Sequence, residues 1–153
     1  MHETHEKCDA KTIKIRILVI DGQGGGLGRS IIEQLKQIEQ TGSGCEIIAA
    51  GTNSAATASM LKAGAGVAAT GENAIIYNSK RADIIAGALG ICFANSMRGE
   101  ISPAMATAIS ESEAVKILIP VLTAKCNINI MGVTEKTMAQ YIAEAVEKIK
   151  EMI

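Results

Sequence analysis

The stretch Asp21-Gly-Gln-Gly-Gly-Gly-Leu-Gly-Arg-Ser gathers residues suited to holding an anion. Gly22, Gly24, Gly25, Gly26 and Gly28 carry no Cβ, so the chain can turn tightly there and a diphosphate can come close to the backbone. The apolar residues before this stretch read as a strand and those after it as a helix. The N–H groups of Gln23 through Leu27 would then sit at a helix start, where the helix dipole favours negative charge. Arg29 and Ser30, in the first helical turn, would add a cation and a hydroxyl. A glycine-rich turn that serves packing alone is the structural alternative.

The spacing Gly22-x-x-x-Gly26-x-Gly28 resembles the cofactor loop of short-chain dehydrogenases more than the plain GxGxxG form. The catalytic elements of those enzymes are missing: Tyr77 is followed by Lys80, one residue short of a Tyr-x-x-x-Lys pair. The same stretch resembles the deviant P-loop of partition-type ATPases, with Gly24 and Arg29 where that loop has lysines. Without those point charges a triphosphate would be poorly held, so a degenerate P-loop is the weaker reading.

Thr52, Asn53 and Ser54 close the second strand, where an NAD site would have an acid for the ribose diol. This neutral, hydroxyl-rich turn, together with Arg29, suits a 2′-phosphate, so NADP is expected slightly ahead of NAD. The same residues can also simply cap the second helix. In the segment Gly90-Ile-Cys-Phe-Ala-Asn-Ser-Met-Arg-Gly-Glu-Ile-Ser, Arg98 is a candidate clamp for a carboxylate or phosphate and Glu100 a candidate base. A solvated turn is the plain alternative. Cys126, beside Lys125, is a candidate thiolate, although an inert buried cysteine is the commoner case; Cys92 is placed near the same end. His2, His5 and Cys8 have ligand-like spacing, but on a polar tail they make a poor metal site, and no metal is expected.

These residues need a frame. Ile15, Ile17, Leu18, Val19 and Ile20 read as a central strand covered on both faces. Leu27, Ile31, Leu35 and Ile38 recur on one face of the helix that follows. Further strands are expected at 46–51, 67–69, 83–87, 116–122 and 128–133. Helices are expected from 52 or 53 to 62, from 71 to 79, and from the Ser102-Pro103 start to about 113. A closing helix capped by Thr134 would carry the stripe Met138, Tyr141, Ile142, Ala145, Ile149 and Met152, with an outward Glu144–Lys148 pair. Strand and helix alternate throughout. The fold class expected is therefore α/β, an open, mainly parallel Rossmann-like sheet with helices on both faces. Residues 1–12 read as a disordered tail and 13–153 as one nucleotide-binding domain. Ligands of such sheets sit beyond the carboxyl ends of the strands, here at 21–30, 52–54, 70–73, 87–102 and 123–127.

Composition narrows the partners. The formal net charge is -1, with 15 basic and 16 acidic residues, and the aromatic residues are two Tyr and one Phe. Neither a basic footprint nor a stacking platform for nucleic acid is present. The start of the chain lacks the apolar stretch of a signal peptide, and no run is long enough for a membrane span, so a cytoplasmic protein with reduced cysteines is expected. With 48% hydrophobic residues and few bulky aromatics, part of the apolar surface is expected to be covered in a homodimer, with residues 134–152 as the contact.

Several motifs occur together in order: Val19-Ile-Asp-Gly-Gln-Gly-Gly-Gly, Gly51-Thr-Asn-Ser-Ala-Ala-Thr, Ala69-Thr-Gly-Glu-Asn-Ala, Gly99-Glu-Ile-Ser-Pro-Ala-Met-Ala, Ile117-Leu-Ile-Pro and Lys125-Cys-Asn. They resemble a family of short proteins from anaerobic, Firmicutes-type bacteria known only as a domain of unknown function. The resemblance covers about residues 14–133 and implies a Rossmann-like domain without an assigned activity. The expected function is binding of a nucleotide, most simply the dinucleotide NAD(P), with oxidoreductase activity open. The alternative is a non-catalytic small-molecule sensor.

Overall fold

The computed structural model describes residues 13–42, 44–121 and 128–153. Five strands form one parallel sheet: β1 (Ile15–Asp21), β2 (Cys45–Gly51), β3 (Val67–Thr70), β4 (Ile84–Ala88) and β5 (Val115–Ile119), in the order β3-β2-β1-β4-β5. All four strand pairings are parallel. β1 lies in the middle because its residues are apolar on both faces: Ile17, Leu18, Val19 and Ile20 are fully buried.

The helices α1 (Gly26–Glu39), α2 (Ser54–Lys62), α3 (Glu72–Ser79), α4 (Pro103–Glu111) and α5 (Met138–Lys150) cover both faces. On one face Ile31, Ile32 and Leu35 of α1, Met60 of α2, and Ile142, Val146 and Ile149 of α5 pack with Ile17, Val19, Ile47 and Ile119. On the other, Ile75 of α3 and Met105 and Ile109 of α4 pack with Leu18, Ile20, Ile48 and Ile85. The alternation of strand residues between the two clusters follows from the period-2 geometry of an extended chain. Side chains cap the starts of α2 and α4: Asn53 accepts from Ala56 N–H at 2.9 Å and Ser102 from Met105 N–H at 3.2 Å.

The C-terminal third departs from expectation. Residues 128–133 form no strand, and β5 is left as an outer edge. Gly132, with φ +77°, turns the chain there, and Met131 is 81% exposed. Helix α5 then packs on the α1 face of the sheet. The cap of α5 is Thr137, not Thr134: Thr137 Oγ1 accepts from Gln140 N–H at 3.2 Å, and Gln140 Oε1 accepts from Thr137 N–H at 2.8 Å. Thr134 instead offers its carbonyl to the Tyr141 hydroxyl at 2.7 Å. The expected Glu144–Lys148 pair does not form either. Glu144 bonds Lys136 at 2.6 Å and Lys148 bonds Glu151 at 2.9 Å. Helix α4 stops at Glu111, two residues early, where extended Ser112 donates its hydroxyl to the Ser79 carbonyl at 2.6 Å.

Candidate functional site

The β1–α1 loop lies at the carboxyl end of the sheet between β2 and β4, where the strand order reverses. Its conformation is set by Asp21, the last residue of β1. The Asp21 carboxylate is 6% exposed and accepts from Gly22 N–H at 2.8 Å and Gly28 N–H at 2.7 Å. It thus bonds both ends of the loop to the strand they leave. Burial raises its pKa above the ordinary value of 3.8; the bonds from Gly28 and Gly22 oppose that shift, and the charge of Glu100 adds to it.

The loop glycines fall into two groups. Gly22, Gly25 and Gly28 are buried and fixed by packing. A Cβ on Gly22 would lie 2.7 Å from Met97 Sδ, one on Gly28 2.9 Å from Asp21 Cβ, and one on Gly25 2.8 Å from the Ala56 backbone. Gly25 also has φ +72°, which only glycine adopts without strain. Gly24 and Gly26 are exposed, and a Cβ on either would meet nothing within 4 Å. Their N–H groups have no acceptor among the described residues, whereas Gln23 N–H donates to Glu100 and Gly25 N–H to the Gly22 carbonyl. Above this backbone is a cavity of about 170 Å³ bounded by Gly22 to Leu27 and by Ala88, Gly90, Met97 and Val121.

The segment after β4 folds over the same end. Met97 is buried on Gly22. Glu100, half-buried, reaches both neighbouring loops: Oε2 accepts from Gln23 N–H at 2.9 Å, and Oε1 from Asn53 Nδ2 at 2.7 Å and Thr52 Oγ1 at 3.3 Å. Asn53 completes the bridge by donating to the Gln23 carbonyl at 2.9 Å. The non-glycine residues with positive φ among those described are Gln23, Asn95, Met97 and Arg98, all in these two loops. Backbone strain is thus concentrated at this end of the sheet, as is common at ligand sites.

The sequence candidates are therefore partly brought together. Residues 22–28, Thr52, Asn53 and Glu100 share one rim. Arg29 faces away from it, binding Glu33 at 2.8 Å in a groove along α2. Ser30 bonds the Gly26 carbonyl within its own helix at 3.0 Å. Ser54 is exposed at the first turn of α2. Arg98 is exposed and has no bonding partner among the described residues. Cys92 is half-buried, with its thiol pKa raised chiefly by burial. Cys126 and residues 123–127, like His2, His5 and Cys8, lie outside the described residues. Asp21 is the residue that the sequence reading passed over. A carboxylate directly before a run of glycines, able to cap the next helix, was the available signal. A larger cavity, about 540 Å³, opens at the opposite end of the sheet among Arg16, Lys80, Arg81, Asp83 and Glu113. It lies away from the glycine loop, and its charged rim is solvated.

Strand order, crossovers and loop together define a doubly wound α/β protein with a glycine-rich strand-to-helix turn at its switch point. Within that class the chain belongs to the family described as a domain of unknown function (DUF3842), whose model matches residues 16–153. No curated protein matches the chain. Among the described residues no helix is long and apolar enough to cross a membrane.

Proposed function

We propose that this protein binds a nucleotide through its diphosphate on the β1–α1 loop, with the dinucleotides NAD and NADP as the ligand class. The observation that carries this reading is the division among the loop glycines. Packing accounts for Gly22, Gly25 and Gly28, but nothing among the described residues stands within 4 Å of a Cβ at Gly24 or Gly26. Both leave room above the backbone and offer a free N–H at the start of a 14-residue helix. This is what a close-lying anion needs. The cavity above the loop is smaller than the roughly 300–1,000 Å³ of a typical ligand pocket, so it suits the diphosphate rather than the whole molecule. The nucleosides would extend over the strand ends on either side.

Gly26→Val tests it. Because a Cβ there meets nothing within 4 Å among the described residues, the variant should keep its circular dichroism and melting temperature. Calorimetric titration with NAD and NADP should show binding to the wild type and none to the variant. A folded variant with wild-type affinity, or a wild type that binds neither nucleotide, would overturn the proposal.

A further inference from the structure

We infer that Glu100 makes this site selective for a nucleotide with a free ribose 2′,3′-diol, and against one carrying a 2′-phosphate; the inference rests on the diphosphate reading above. In open α/β sheets of this order the nucleoside on the β2 side reaches the carboxyl end of β2, where an acidic residue can hold the diol. Here β2 ends at Gly51 and is followed by Thr52 and Asn53, with no acid among them. Tertiary structure brings one from elsewhere. Glu100, on the segment between β4 and α4, places its carboxylate 2.7 Å from Asn53 Nδ2 and 2.9 Å from Gln23 N, between the diphosphate loop and the β2 turn.

Both the capacity and the charge of that carboxylate bear on the ligand. Oε1 is occupied by Asn53 and Thr52, whereas Oε2 accepts from Gln23 alone and retains capacity for a ribose hydroxyl. A hydroxyl donates to a carboxylate; a phosphate, with acceptors only, is repelled by it. Among the described residues, Arg29 is engaged with Glu33 and Arg98 makes no bond with Glu100. Buried Asp21 already lies near enough for its charge to interact with that of Glu100, and Glu72, at the start of α3, accepts from the Ser102 hydroxyl at 2.5 Å. The neutral Thr52–Ser54 turn, which in sequence favours a 2′-phosphate, is thus not neutral once the chain is folded.

Titration of the full chain with NAD and with NADP under matched salt and pH tests the inference. Wild type should bind NAD more tightly by on the order of tenfold, because like charges brought together in a partly buried site cost about that much. Glu100→Gln should close the gap, chiefly by gaining affinity for NADP. Equal or reversed affinities in the wild type, with both nucleotides bound, would overturn the role of Glu100 and leave the diphosphate reading standing. Binding of neither would overturn both. A Glu100→Gln variant that weakens both nucleotides equally would show a brace only and would also overturn the inference. Should that variant fail to fold, the wild-type order decides.

Discussion

At the scale of single residues, Asp21 holds the loop in shape at an electrostatic cost. Its carboxylate satisfies two backbone N–H groups that would otherwise be buried without acceptors, yet it does so out of water and near the charge of Glu100. Its pKa in the fold is raised above 3.8, so the folded chain takes up a proton that the unfolded chain releases. The sign follows. Stability falls as pH rises from 3.8 through the raised value, and is flat above it. Asparagine cannot titrate and keeps one acceptor oxygen, while its amide group faces the second N–H. Relative to Asp21→Asn, wild type should therefore gain stability as pH is lowered through that window. Urea melts of both proteins across a pH series measure the difference. A gap independent of pH would contradict the burial account.

At the scale of elements, helix starts show how far local chemistry reaches. The expected cap of α2 forms at Asn53, and Ser102-Pro103 opens α4, because each needs only side-chain and backbone groups a few residues apart. The start of α5 misled for the same reason. Thr134 and Thr137 are both caps by type, and Gln140 decides between them by completing the reciprocal pair at Thr137. Thr137→Ala should cost about 1 kcal/mol, a fall of roughly 2–4 °C in melting temperature for a chain of this size. Thr134→Ala should cost little, because the Thr134 group in use is its carbonyl. Comparing the two melts assigns the cap.

At the scale of the whole molecule, the chain's apolar content is used mainly on itself. Most of the α5 stripe expected to meet a second copy is turned onto the sheet: Ile149 is fully buried and Ile142 and Ala145 nearly so, while Met138 at its start is 42% exposed. Ile149→Glu is therefore expected to unfold the chain, by roughly 3–5 kcal/mol, through an unpaired charge in the core. It is not expected to yield a folded monomer. Circular dichroism with light scattering separates the outcomes, and a folded, half-mass variant would place α5 at an interface after all. Besides Leu61 on α2 and Met138 on α5, exposed apolar side chains include Val67 on the outer strand β3 and Val115 on the outer strand β5. A symmetric pair, if the protein forms one, has those edges to use.

The sequence by itself determined the alternation of strand and helix, the buried central strand and the glycine turn that joins it to α1. These follow from periodicities of two and 3.6 residues and from local conformational preference. It did not distinguish packing glycines from open ones, since that depends on Met97, Ala56 and Met60 arriving from other elements. Nor did residues 128–133 reveal that they form no strand, because an apolar run carries no record of whether it will pair, and here the edge of β5 is left unpaired among the described residues. Only tertiary structure decided the charge of the β2 turn. Glu100 and Asn53 stand 47 positions apart, and what joins them is the crossover geometry of the sheet, which no local pattern encodes.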